Sequence, residues 1–110
     1  KNVKGFQVGE AVVADIRKSF GGGYAQYAIV NAKHLVKKPE EVSFEQACTV
    51  PISGQAAMMG MILCSINPGD KVLVNGASGG VGSFGIQIAK AQGAYVAAIC
   101  STKKIEAVKS

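Results

Sequence analysis

Lys71-Val72-Leu73-Val74-Asn75 runs directly into Gly76-Ala77-Ser78-Gly79-Gly80-Val81-Gly82, and no other stretch of the chain restricts the fold so tightly. A short β-branched run of this kind fills the middle of a parallel sheet, where both faces are covered. From Val81 onward, Val81, Phe84, Gly85, Ile88, Ala89 and Gln92 recur at helical spacing, with Ser83, Gln87 and Lys90 on the other side. Gly93 is a helix stop, and Tyr95 to Cys100 reads as a second buried strand. Strand, glycine turn, amphipathic helix, stop and strand together predict a βαβ unit, right-handed by the general rule.

The glycine spacing adds chemistry to this geometry. A dinucleotide fingerprint needs glycines where the chain bends, where a pyrophosphate approaches the backbone, and where helix packs on strand. Gly79 and Gly82 fill the last two positions, while Ala77 stands at the first, a departure the backbone tolerates if φ there stays negative. Amides at the helix start, near Gly80 and Val81, would point at phosphate oxygens with the helix dipole behind them. Ser78, Gly79, Gly80 and Val81 are therefore candidate cofactor-binding residues, against the plainer alternative of a tight turn with no ligand. A nucleotide-triphosphatase P-loop is excluded, because Ser83 follows Gly82 with no lysine between them.

The end of the second strand bears on which dinucleotide would bind. An NAD site places Asp or Glu there to hold the adenosine ribose, whereas this chain continues Cys100-Ser101-Thr102-Lys103-Lys104. Hydroxyls and cations suit the 2′-phosphate of NADPH, with Ser101 as hydrogen-bond partner and Lys103 or Lys104 as countercharge. Ser101 and Lys103 are the residues we carry forward, and two lysines capping a surface turn are the alternative.

Composition limits the other possibilities. At 110 residues the chain is long enough for one modest domain and short for the two that dinucleotide-dependent oxidoreductases use, which suggests a fragment. Hydrophobic content of 48% with 17% charged residues describes a folded chain with a core. The formal charge is +5, but its lysines are dispersed and have no interleaved aromatics, which argues against nucleic acid and for a small anionic ligand. Cys48, Cys64 and Cys100 lie far apart without a CxxC pair and read as buried thiols in a reducing, cytoplasmic setting. His34 is the single histidine and reads as a loop residue, so no metal site is expected. No secretory leader opens the chain at Lys1-Asn2-Val3-Lys4. Gln46 to Gly69 is free of charge, but Pro51, Gly54, Gln55, Gly60 and Ser65 interrupt it, so a helix buried between two domains fits better than a membrane span.

Upstream of that helix the chain reads as β-rich. Ala11 to Ile16 predicts a strand entered from the turn at Gly9, and Tyr24 to Val30 predicts a second extended run after Gly21-Gly22-Gly23. Ser43 with Gln46 forms a capping-box pattern for a short helix. Gln55 to Cys64 is apolar on almost every side, including Met58, Met59 and Met61, and predicts a helix buried on most faces.

Taken together, these segments resemble the medium-chain dehydrogenase/reductase superfamily, in its zinc-free quinone oxidoreductase and enoyl reductase branch. The similar segments are Val8-Gly9-Glu10-Ala11-Val12, Gly22-Gly23-Tyr24-Ala25-Gln26-Tyr27, Val50-Pro51-Ile52-Ser53-Gly54, and Pro68 to Val74 running into Gly79-Gly80-Val81-Gly82. The resemblance implies an α/β fold in which residues 1–40 are the C-terminal part of a GroES-like catalytic domain. Residues 41–66 would be connecting helices, and residues 67–110 the first βαβ half of a Rossmann domain, a doubly wound parallel sheet. It also implies NADPH as cofactor, an enone or quinone as small-molecule substrate, and a parent enzyme that can be a homodimer. Only a short loop separates Asp15 from Gly21, where zinc-dependent relatives insert a four-cysteine lobe. Many members have Gly-Leu-Thr-Ala with the threonine near the nicotinamide, whereas this chain has Gly54-Gln55-Ala56-Ala57. No catalytic residue can be named from these segments, and a non-catalytic nucleotide-binding module or scaffold fragment of the same fold is the rival to an enzyme.

Overall fold

The computed structural model describes residues 3–17 and 22–109. The chain divides into two compact units, Lys1–Pro51 and Ile52–Ser110.

In the first unit, β1 (Val12–Ala14) pairs antiparallel with β2 (Leu35–Lys37), with Val13 opposite Val36. The ladder is extended by the Lys38 amide, which donates to the Ala11 carbonyl at 2.9 Å. Across its end, Lys37 Nζ meets Glu10 Oε1 at 2.5 Å. β1 is thus shorter than the expected Ala11 to Ile16. β2 falls on residues for which the sequence reading names no strand, because its strand state comes from pairing with a segment more than twenty residues earlier. The expected ribbon from Tyr24 to Val30 is not a strand: Tyr24, Tyr27 and Ile29 are exposed, and no described strand pairs with them. The part of the glycine run at Gly21 lies outside the described residues.

His34 ends a 3₁₀ turn, Ala32–His34, whose start is capped by Asn31 Oδ1 accepting from the Lys33 amide at 3.1 Å. That places it in a connecting turn, as expected. The capping box is formed in full at α1 (Phe44–Ala47). Ser43 Oγ accepts from the Gln46 amide at 3.2 Å, and Gln46 Oε1 accepts from the Ser43 amide at 3.0 Å. Lys38 reaches forward to the entry of this helix, donating to the carbonyls of Pro39 and Val42 with its ammonium 5.1 Å from the Phe44 ring centre.

In the second unit, β3 (Lys71–Asn75) and β4 (Tyr95–Ile99) pair in parallel, residue for residue from Lys71 with Tyr95 to Asn75 with Ile99. Between them runs α3 (Gly80–Ala91), so the strand, glycine turn, helix and strand read from the sequence are all present. β4 stops one residue before Cys100. Gly93 ends α3 at φ +82°, with its amide bonded to Lys90 O and that of Ala94 to Ala89 O, the paired bonds of a Schellman stop.

The core of this unit is built from small side chains. α3 buries Gly82, Gly85 and Ala89, a stripe at helical spacing, against Val74 of β3 and the fully buried Ala77. α2 (Gln55–Leu63) packs on the same helix, bringing Met61 Cε within 3.3 Å of where a β-carbon on Gly85 would sit. A π-helical turn, Val50–Gly54, leads into α2, at the point where Pro51 has no amide to offer the regular ladder.

Burial differs from the sequence expectation in three places. α2 buries only Ala57, while Met58, Met59, Ile62 and Leu63 are exposed. Cys48 and Cys64 are exposed and Cys100 partly so, rather than buried. For α2 an apolar sequence marks a face suited to burial, but among the described residues only the side that meets α3 is covered. Val81, assigned to the inward stripe, is also 49% exposed, because α3 turns its first residues outward before the Gly82–Gly85 face engages. No described helix is long and apolar enough to cross a membrane.

Candidate functional site

The candidate site is the bend between β3 and α3. Gly76 takes the left-handed backbone at φ +74°, which L side chains resist, and so the sharp turn falls one residue before Ala77. Ala77 itself has no positive φ, is fully buried, and donates its amide to Ile99 O at 2.9 Å. Alanine at this position therefore meets the condition set from the sequence. Gly79 then accepts the Ser83 amide at 2.9 Å and stands at the N-cap of α3 in extended conformation, φ −82° and ψ 168°, with no side chain capping the helix.

That leaves the amides of Gly80, Val81 and Gly82 without intrahelical acceptors, as the first turn of any α-helix does. No acidic residue lies in this turn, so the positive end of the helix dipole is not offset there. Ser78, Gly79, Gly80 and Val81 are all exposed. The stretch is a turn followed by an exposed helix start, not an interior helical segment.

Steric demands on the glycines are specific. A β-carbon on Gly82 would sit 2.8 Å from Ala77 Cα and 2.9 Å from Gly76 C, with the Gly76 carbonyl oxygen closer still. Helix and strand can approach this closely only without a side chain at residue 82. On Gly80 the same carbon would meet Ser53 Oγ at 2.6 Å.

Two clefts flank the bend. One, of about 430 Å³, is lined by Ala77, Ser78, Ser83, Gln87, Lys90 and Lys104, among others. The other, of about 420 Å³, joins Gly79, Gly80, Val81 and Gly82 to Ala56 and Gly60 of α2. The structure thus brings Ser78 together with Lys104, and the remaining pyrophosphate candidates together with α2. Ser101 is the N-cap of a 3₁₀ turn, Thr102–Lys104, and its carbonyl accepts the Lys104 amide at 2.9 Å. Neither Ser101 nor Lys103 lines the first cleft, where Lys104 is the strand-end lysine. Lys103 is the lysine favoured by sequence, whereas Lys104 is the one that lines the cleft, because which of two adjacent lysines faces it depends on the turn that follows β4. Gly76 and Ser53 were not singled out in the sequence. Gly76 could have been, as the last residue before the fingerprint, but the approach of Ser53 depends on packing alone.

Among the described residues, no three His, Cys, Asp or Glu side chains converge as metal ligands would. The shifted ionisations lie in the first unit. The Arg17 side chain, followed by the Arg17 backbone amide, lowers Asp15 to about 2, and Arg17 is raised in turn. The Lys37 hydrogen bond, ahead of the Gln7 amide, lowers Glu10.

No protein-family model matches the chain. It is 39% identical over 114 residues to a chloroplast envelope quinone oxidoreductase homolog of Arabidopsis thaliana, covering 98% of this chain and 35% of that protein. It is 38% identical over 117 residues to an NADPH-dependent alkenal/one oxidoreductase, chloroplastic, of the same plant, covering 98% of this chain and 30% of that one. The chain therefore spans about a third of the length of these relatives. Among solved structures, an alcohol dehydrogenase superfamily protein from Novosphingobium aromaticivorans superposes with a TM-score of 0.86 at 35% identity, over 97% of this chain and 33% of that one. The quinone oxidoreductase of Thermus thermophilus, whose structures include a complex with NADPH, gives a TM-score of 0.65 at 32% identity, over 71% of this chain and 27% of that one.

Proposed function

Because the chain belongs to the medium-chain dehydrogenase/reductase superfamily, as a homologue of its quinone oxidoreductases and enoyl reductases, we propose that it is the cofactor-holding segment of an NADPH-dependent, zinc-free reductase. The parent reaction is hydride transfer to a quinone or an electron-poor alkene. The observation that carries this reading is the bend itself: an exposed helix start lacking side-chain caps and acidic residues, beside a cleft lined by Ser78, Ser83 and lysines that include Lys104. Such a set suits a diphosphate and a further phosphate. The names of the relatives support the rest, one as a quinone oxidoreductase homolog and one as an NADPH-dependent alkenal/one oxidoreductase.

In this reading Ser78, Gly79, Gly80 and Val81 hold the pyrophosphate. Ser101 with Lys103 and Lys104 serves the 2′-phosphate, and the position of Lys104 in the cleft with Ser78 favours it for the direct charge contact. Bound there, NADPH supplies the hydride, while this chain's residues fix where the cofactor lies and shield part of it from water. The first unit fits the GroES-like portion and the second the start of the Rossmann portion of such an enzyme. A reducing, cytoplasmic setting belongs to the same proposal, supported by three free thiols.

The test is calorimetric titration with NADPH and NADH, comparing the native chain with Lys104→Glu and Lys103→Glu. Lys104→Glu should weaken NADPH by about 1.5–3 kcal/mol, the scale of a charged hydrogen bond, and leave NADH little changed. Equal weakening of both cofactors would remove Lys104 from the 2′-phosphate. No binding of either cofactor to the chain or to the parent enzyme would remove the whole reading. With the parent, loss of nicotinamide absorbance in the presence of an enone or a quinone separates a reductase from a module that only binds.

A further inference from the structure

Ser53 is a serine whose side chain packs against Gly80, the first residue of α3, where the glycine fingerprint asks for no hydroxyl. It lies in the π-helical turn before α2, partly buried, and its side chain lies directly over Gly80. A β-carbon on that glycine would come within 2.6 Å of Ser53 Oγ and 3.3 Å of Ser53 Cβ. A side chain at residue 80 would have to displace the Ser53 hydroxyl.

The hydroxyl has no hydrogen-bond partner among the described residues. A neutral hydroxyl left this way gains most from an anion, since hydrogen bonds to charged groups are roughly twice as strong as neutral ones. Ala56, Ala57 and Gly60, which follow Ser53 by three, four and seven residues, line the cleft shared with Gly79 to Gly82, while Ser53 itself meets the bend at Gly80 and is not among the lining residues. None of those three carries a polar side-chain atom. The α2 side of the bend thus presents small apolar residues with a single hydroxyl, beside the first free amide of α3.

Resting on the dinucleotide reading above, we propose that Ser53 is a further binding residue of the site, donating its hydroxyl to the cofactor diphosphate from the side opposite Ser78. Backbone amides hold the diphosphate from the α3 end, and Ser53 fixes its rotation about the helix axis and so the direction in which the nicotinamide half leaves. Ala56 offers no hydroxyl of its own, and Ser53 lies three residues before it.

The experiment is calorimetric titration of the chain and its Ser53→Ala variant with three probes: NADPH, 2′-phospho-ADP-ribose, and adenosine 2′,5′-bisphosphate. The last keeps the adenosine phosphates and lacks the diphosphate bridge. Ser53→Ala should bind the first two roughly tenfold more weakly and the bisphosphate as tightly as the native chain. Ser53→Thr, which restores a hydroxyl, should recover part of the loss. Unchanged NADPH affinity in Ser53→Ala overturns the proposal. So does equal weakening of all three probes, which marks a packing role, and so does a loss seen with NADPH but not with 2′-phospho-ADP-ribose, which moves the contact to the nicotinamide. If neither the native chain nor the parent enzyme binds any of the probes, the dinucleotide reading itself fails, an outcome distinct from the others.

Discussion

Replacing Gly82 by alanine adds one methyl group at the tightest point of the bend. The added carbon would lie 2.8 Å from Ala77 Cα and 2.9 Å from Gly76 C, whereas carbon atoms rest at about 3.5–4.0 Å. Both neighbours are backbone, so neither can rotate aside, and the turn must shift by more than about half an ångström. Overpacking of this kind costs about 1–3 kcal/mol, and alanine returns at most about 1 kcal/mol in helix propensity. With only backbone to give way, the cost belongs at the upper end, for a net loss of about 2 kcal/mol. Two other glycines serve as internal controls. A β-carbon on Gly60 meets nothing within 4 Å, so Gly60→Ala should stabilise α2 by about 0.5–1 kcal/mol. Gly85 faces only the flexible end of Met61 at 3.3 Å, so Gly85→Ala should fall between the two. Urea unfolding followed by far-ultraviolet circular dichroism gives the ranking, and NADPH titration should show loss of binding in Gly82→Ala alone. A Gly82→Ala chain as stable as Gly60→Ala would refute the steric argument and with it the close approach of α3 to the turn.

Two further outcomes concern the first unit. Asp15 is lowered from 3.8 to about 2, first by the hydrogen bonds of the Arg17 side chain and then by the Arg17 amide. A depressed carboxyl contributes stability that is present above its ordinary value and is lost as pH falls through about 2. Carbon-13 titration should place the Asp15 carboxyl midpoint near 2 in the native chain, and Arg17→Gln should move it up toward 3.8; a native midpoint already near 3.8 would mean the pair does not persist in water. Ser43→Ala removes one half of the capping box and should cost about 1 kcal/mol in urea unfolding, with Ser43→Thr close to native; no change would show that α1 frays before the unit unfolds.

The βαβ unit was legible because its information is local. Lys71 to Asn75 are mostly apolar and β-branched, Gly79 to Gly82 permit one geometry, and Gly93 stops the helix; each acts within a few residues of itself. The boundaries of β3 match the sequence reading for that reason. β2 was not legible, because Leu35–Lys37 becomes a strand only through its register with Val12–Ala14. Tyr24 to Val30 failed in the opposite sense: residue types that favour extension cannot make a strand without a neighbouring edge. Exposure followed the same logic, since the apolar sides of Met58, Met59 and Leu73 show what a surface suits and not what lies against it. Within the candidate site, the backbone positions could be named from spacing, but the choice between Lys103 and Lys104 and the approach of Ser53 to Gly80 are tertiary facts.

The single bond from the Ala77 amide to the Ile99 carbonyl has a consequence for selectivity. It joins the loop that carries Ser78 to the strand end that leads into Ser101 and Lys104, so the span between those two anchor points is set by the protein's own backbone. A ligand that must touch both is measured against a fixed gauge: one with the right spacing seats with little ordering of the chain, and one with a shorter or longer linkage between its phosphates reaches one anchor and misses the other.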